Sequence, residues 1–131
     1  MKKVLVVEDN NDNLRLISYA LRRYGYEVLS AENGTKGVEL AISERPFFII
    51  MDINLPDIDG LEATRRIRKS GANGSIPIIA ITSNAMTGDM DQALVAGCTG
   101  YFVKPIDPLT IMDKIHALLG IPASDANGNG G

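Results

Sequence analysis

Phe47-Phe48-Ile49-Ile50-Met51-Asp52 is an unbroken apolar run closed by a carboxylate. A strand with one wet face alternates apolar and polar side chains, whereas a strand covered on both faces has no reason to. The run therefore predicts a strand inside a parallel sheet, with Asp52 at its carboxyl end. Val4-Val7, Ile78-Ile81 and Tyr101-Val103 read the same way, and Glu27-Ser30 is a fifth candidate.

Between the strands lie patterns of helical period. Leu14, Ile17 and Leu21 recur at spacings of three and four, as do Val38 with Ile42 and Ala63 with Ile67; Leu94 continues the series, and Leu109, Met112, Ile115 and Leu119 mark the last helix. Asn11 or Asp12, Asn33, Asp59 and Thr87 are residues suited to cap the first four helices. Gly25, Gly71 and Gly97 stand where three of them should end, and Pro46 and Pro77 stand at strand entries. The order is β-α repeated, which implies a parallel sheet with right-handed crossovers and helices on both faces, a three-layer α/β/α sandwich. Residues 1–120 form the expected domain. Residues 121–131, ending in Asn127-Gly128-Asn129-Gly130-Gly131, read as a flexible tail or linker stub.

Composition narrows the function. The chain has 131 residues, 45% hydrophobic and 22% charged, which suits one globular domain and excludes a disordered or low-complexity chain. No apolar run is long enough for a membrane span or a signal peptide, and Cys98, the one cysteine, has no disulfide partner, so a reducing, cytoplasmic setting is expected. The net charge of −3, without a dense basic block, speaks against direct nucleic-acid binding.

In an open α/β sheet, ligands bind beyond the carboxyl ends of the strands, where strand order reverses. The residues at those ends are Glu8-Asp9, Asp52, Thr82-Ser83 and Lys104-Pro105. If the first and third strands are neighbours, three carboxylates share a crevice, and such like charges call for a proton or a cation. Oxygen donors without histidine or cysteine favour Mg²⁺ over zinc. An exposed aspartate with a cation, a hydroxyl and a lysine around it is equipped for phosphoryl chemistry: a carboxylate oxygen attacks in line while the cation, Lys104 and Thr82 neutralise the phosphoryl oxygens.

Each residue alone has a plainer explanation. Glu8-Asp9 suits a solvated helix start, Asp52 a turn, Thr82 a helix cap, and Lys104 a surface position before a strand-stopping proline. Taken together, four separate strand ends on one edge carry compatible chemistry. His116 lacks an acidic or nucleophilic partner in motif spacing and reads as a packing or surface residue. Arg65, Arg66, Arg68 and Lys69 read as a solvated helix face, and Met86 and Met90 as core-filling or switch-surface residues.

Val-Val-Glu-Asp-Asn at 6–10, Met-Asp-Ile-Asn-Leu-Pro at 51–56 with Asp59-Gly60, Ile-Thr-Ser-Asn-Ala-Met at 81–86, and Gly-Tyr-Phe-Val-Lys-Pro-Ile at 100–106 resemble the receiver domains of two-component response regulators, over about residues 3–119. The resemblance implies the CheY-like, flavodoxin-type fold with strand order 2-1-3-4-5. It also implies Asp52 as phosphoacceptor, Asp9 and Asp52 as direct Mg²⁺ ligands, Glu8 acting through water and the Asn54 carbonyl as a further ligand. Thr82 would be the switch hydroxyl, Lys104 the cation on the phosphoryl group, and Tyr101 the aromatic that follows Thr82. The Lys104-Pro105 bond would be cis, and Asn54 and Asn84 would tune the lifetime of the phosphoryl group. Ser83 departs mildly from the small apolar residue frequent in the family.

The expected function is thus a phosphorelay receiver that catalyses its own phosphorylation and dephosphorylation and turns over no external substrate. Its donor would be a sensor histidine kinase or a histidine phosphotransfer protein. Its output would reach an unidentified protein target, or a second copy of the chain in a phosphorylation-dependent homodimer, through the face made by the fourth helix, fifth strand and fifth helix. It would act alone or as a module of a larger protein. A haloacid-dehalogenase-type phosphohydrolase would carry Asp-x-Asp after the first strand, where this chain has Glu8-Asp9-Asn10. A flavodoxin-like cofactor carrier would need a Gly/Ser/Thr-rich loop in place of that acidic one.

Overall fold

Five strands and five helices alternate along the chain: β1 (Lys3–Val7), α1 (Asn11–Arg23), β2 (Glu27–Ala31), α2 (Gly34–Glu44), β3 (Phe48–Asp52), α3 (Gly60–Lys69), β4 (Ile78–Thr82), α4 (Thr87–Ala96), β5 (Gly100–Val103) and α5 (Ile111–Leu119). The computed structural model describes residues 2–71, 74–83 and 87–121, with the side chains of 87–89 left out. The readings made for Asn84, Met86 and residues 122–131 lie outside that set. All pairings are parallel and the order is β2-β1-β3-β4-β5, as expected.

The apolar runs of β1, β3 and β4 do what their pattern predicts, whereas Tyr101-Val103 forms the edge strand β5, where Tyr101 and Phe102 are half-buried and Val103 is exposed. Side chains alternate across the sheet, so Leu5, Val7, Ile49, Met51, Ile78 and Ala80 meet α2, α3 and α4 on one face. Val4, Val6, Phe48, Ile50, Ile79 and Ile81 meet α1 and α5 on the other. β3 and β4 are buried along their whole length, which is why neither shows polar alternation.

Caps decide where the helices begin. Asn33 and Asp59 accept from the amides of Lys36 and Glu62 at 2.8 Å each. The first cap is Asn10 rather than Asn11 or Asp12: its backbone is extended and its side chain accepts from Asn13 N at 3.0 Å, while Asn11 is already helical. Thr87 is likewise the first helical residue of α4, not the cap before it. Gly25, Gly71 and Gly97 have φ of 85°, 80° and 111°, the left-handed conformation expected after a helix.

The apolar stripes need three corrections. Ile42 is exposed because α2 packs through Gly34, Gly37 and Ala41; a Cβ on Gly37 would sit 2.7 Å from Val7 Cγ2. Small residues bring this helix close to the sheet, with Val38 and Leu40 half-buried beside them and Ile42 left outside. Leu94 is 52% exposed while Ala93 and Ala96 face the core, and Leu109 precedes α5 and is 71% exposed.

Two polar groups hold the edge of the sheet opposite the acidic strand ends. Arg68 is not on a solvated face with Arg65 and Arg66, which pair with Glu62. It turns inward and donates to the carbonyls of Gly97, at 2.9 and 2.7 Å, of Gly74 at 3.0 Å and of Ile76. His116 is buried, sharing a 2.8 Å hydrogen bond with the Tyr26 hydroxyl. Cys98 is buried beside Thr64. Among the described residues no helix is long and apolar enough to cross a membrane.

Candidate functional site

Sheet register brings the acidic residues together. β1 pairs with β3 through Val7 opposite Met51, so Glu8 and Asp52 emerge side by side. Asp52 stands opposite Ile81 and Thr82 opposite Val103, which puts Thr82 and Lys104 at the same edge. Glu8, Asp52 and Lys104 continue the rows of Val6, Ile50 and Phe102, on the α1 and α5 side. Thr82 continues the row of Ala80 on the opposite side, and Tyr101, paired with Ala80, lies one row behind it.

The geometry that results is close. Lys104 Nζ lies 3.0 Å from Asp52 Oδ2 and 3.2 Å from Glu8 Oε1. Asp52 Oδ1 accepts from Asn54 N at 3.0 Å, and Glu8 Oε2 from Asn10 N at 3.2 Å. Glu8 Oε1 is buried with the Lys104 charge beside it but no well-angled hydrogen bond among the described residues. The Lys104-Pro105 peptide is cis. Asp52 is 2% exposed, so it is not the exposed aspartate of the sequence reading. The loop that follows folds back over it and seats the Asn54 amide on its carboxylate.

One oxygen each from Glu8, Asp9 and Asp52 lie within 4.8 Å of one another. Among the described residues, the Lys104 ammonium is the one that faces them. Burial raises the Glu8 pKa to about 7, and the neighbouring Asp52 adds to the rise. Burial works against the Lys104 ammonium, yet the Asp52 hydrogen bond and the charges of Asp52 and Glu8 outweigh it and hold its pKa above the usual lysine value. The cluster is therefore short of positive charge, and all its donors are hard oxygens. Glu8, Asp9 and Asp52 fit a small divalent cation of the Mg²⁺ kind, with Asp9 exposed at the mouth.

A crevice of about 600 Å³ opens there, lined by Asp9, Asn54, Pro56, Asp59, Thr82 and Gln92 among others. Thr82 is buried at 3% exposure, and Tyr101 is half-buried against the core rather than in the crevice. Of the residues singled out in the sequence, Glu8, Asp9, Asp52, Asn54, Thr82 and Lys104 thus converge on one edge, with Tyr101 one row back.

Gln92 and Asp57 escaped the sequence reading. Gln92 is an ordinary polar helix residue until α4 packs beside β4. Asp57 accepts from Gly34 N at 2.7 Å, Thr35 N at 2.9 Å and Thr35 Oγ1 at 2.5 Å. The Thr35 hydroxyl, with these amides, holds its carboxyl far below the usual range. No local spacing announces a contact across more than twenty residues of chain.

The fold has counterparts of known structure. The receiver domain of the sensor histidine kinase PA1611 from Pseudomonas aeruginosa, solved with a magnesium ion coordinated in its active-site cleft, superposes with a TM-score of 0.82 at 37% identity, covering 91% of this chain and 98% of that one. The chemotaxis protein CheY4 of Vibrio cholerae superposes at 0.84 with 30% identity, covering 90% and 98%. The polar-differentiation response regulator DivK of Brucella anthropi is 38% identical over 119 residues, 91% of this chain and 97% of that protein. The model of the response regulator receiver domain matches residues 4–116. By fold and by sequence, the chain belongs to the response regulator receiver domain family of two-component systems.

Proposed function

We propose that Asp52 accepts a phosphoryl group from a phospho-histidine of a sensor kinase or phosphotransfer protein. The observation that carries this reading is the buried Asp52 carboxylate held 3.0 Å from Lys104 Nζ, with Glu8 and Asp9 oxygens within 4.8 Å. An Asp52 oxygen attacks phosphorus, an acyl phosphate forms, the P–N bond to the donor breaks, and the histidine leaves with a proton from solvent. Lys104 passes from the carboxylate to the phosphoryl oxygens, and the Thr82 hydroxyl donates to another. Asp9, Asp52, the Asn54 carbonyl and, through water, Glu8 would hold Mg²⁺. When bound, that ion offsets charge on the carboxylates and the incoming phosphoryl group.

The output is a shift between two conformations. Drawing Thr82 and Lys104 toward the phosphoryl group vacates space one row back, Tyr101 packs inward, and the α4-β5-α5 face changes shape. Leu94 and Val95 on α4, at 52% and 86% exposure, and Leu109 just before α5, at 71%, offer apolar area for a protein partner or a second copy. The receiver unit is taken as residues 1–120 acting in the cytoplasm. Dephosphorylation would use the same edge, with water as the acceptor. Purified protein should be labelled by acetyl phosphate only with Mg²⁺, and Asp52→Asn should abolish labelling; undiminished labelling of that variant overturns the assignment.

A further inference from the structure

We infer that Asp57 is a positioning residue for the acidic crevice: by binding the first amides of α2, it holds the loop between β3 and α3 in the geometry that presents Asn54 to Asp52 and to a cation. The inference rests on reading Glu8, Asp9 and Asp52 as a cation-dependent phosphoacceptor site.

The start of α2 is answered by two side chains. Asn33 takes the Lys36 amide at 2.8 Å, and Asp57 takes those of Gly34 at 2.7 Å and Thr35 at 2.9 Å, with the Thr35 hydroxyl at 2.5 Å. Asn33 is the local cap, three residues away, that a helix start ordinarily uses. Asp57 comes from another loop, and its negative charge meets the positive end of the helix. What it gains there is a fixed attachment for its own segment.

Steric contacts make that attachment specific. A Cβ on Gly34 would lie 2.4 Å from Ile58 Cγ1 and 2.8 Å from Ile58 O, so the loop rests directly on the helix. At its far end, a Cβ on Gly60 would lie 2.2 Å from Asp52 O, and Gly60 N donates to Ile53 O at 2.8 Å. Residues 53–60 are thus pinned to α2 on one side and to the backbone of the acceptor on the other. Asn54 lies between the pins. Its amide reaches Asp52 Oδ1 at 3.0 Å, and its carbonyl is the backbone ligand of the proposed cation. A shift of this peptide alters both together, while the exposed Asp57 touches neither.

Mg²⁺ binding measured by calorimetry and by the Asn54 amide in ¹H–¹⁵N NMR tests this in the whole chain. Asp57→Ala should weaken Mg²⁺ affinity about tenfold, in the range of supporting residues around metal ligands. It should shift the Asn54 amide before any Mg²⁺ is added. Acetyl phosphate labelling should fall at subsaturating Mg²⁺ and recover at saturation, a split that loss of folded protein would not produce. Thr35→Ala, which keeps both amide contacts and every charge, should weaken binding less, and Asp57→Asn serves if Asp57→Ala does not fold. The deficit should persist in about 1 M NaCl, where screening acts within about 3 Å. Unchanged affinity in both Asp57 variants, or a deficit that vanishes in high salt, overturns the inference. Wild-type protein that binds no Mg²⁺, or labelling that survives Asp52→Asn, overturns the phosphoacceptor reading beneath it instead.

Discussion

The ammonium of Lys104 occupies the space between Asp52 and Glu8, 3.0 Å from the Oδ2 of one and 3.2 Å from the Oε1 of the other. Under the proposed chemistry it would be both the partner of the acceptor before transfer and a cation beside the transferred group. Lys104→Met should leave the Mg²⁺ ligands in place while lowering the acetyl phosphate labelling rate by about 10²-fold or more, the usual cost of removing one donor to a developing anion. Single-turnover labelling at saturating Mg²⁺ measures this; a rate within twofold of wild type would remove Lys104 from the chemistry.

Cation binding should be visible in stability. Glu8, Asp9 and Asp52 cluster at the crevice with the Lys104 ammonium beside two of them, so a cation that binds there only in the folded chain raises the melting temperature by mass action. At a hundredfold excess over Kd the gain is about 2.7 kcal/mol. Thermal melts with MgCl₂ should move upward and return with EDTA, whereas Asp9→Asn should respond far less. Equal shifts in both proteins would place the ion elsewhere.

Arg68 should matter more than its neighbours on α3. Its guanidinium serves the carbonyls of Gly74, Ile76 and Gly97 at once, a fork that an ammonium cannot copy. Arg68→Lys is expected to cost about 2 kcal/mol, the scale of hydrogen bonds from a charged donor. Arg65→Lys, whose wild-type side chain makes an exposed pair with Glu62, should cost far less. Urea unfolding compares them directly.

His116 gives folding a pH dependence of definite sign. Burial lowers its pKa below the ordinary value of 6.5, partly opposed by Asp113 on its own helix; Tyr24 and Tyr26 pack against it from the other side. Above pH 6.5 the ring is neutral whether folded or not. As pH falls through 6.5 the unfolded chain takes a proton first, so stability declines down to the folded pKa. His116→Phe lacks this term, and its melting temperature should fall less than that of wild type between pH 7.5 and 5.5. Parallel curves would show that the ring does not titrate differently on folding.

Much of the site is readable in the chain because it sits at strand ends. An apolar run followed by a charged residue marks both the strand and the point where it leaves the sheet, and so Asp52, Glu8, Asp9, Thr82 and Lys104 stand out. The same period-two rule orients them once the register is known. Helix stripes were less legible. Ile42 and Leu94 have the right spacing and still face solvent, since glycines and alanines took the close contacts, and Leu109 faces solvent because it precedes α5.

By itself, then, the sequence determined the alternating β-α order, the doubly covered strands, the helix stops at Gly25, Gly71 and Gly97, and the chemistry at the strand ends, because each depends on a residue and its near neighbours. Tertiary structure decided the rest. Asp52 became buried, Arg68 found carbonyls both on the loop after its own helix and, 29 residues on, at Gly97, and Asp57 reached the start of α2. The contacts of Arg68 with Gly97 and of Asp57 with Gly34 join segments far apart in sequence, and their energies exist only once the sheet has set the distances between them.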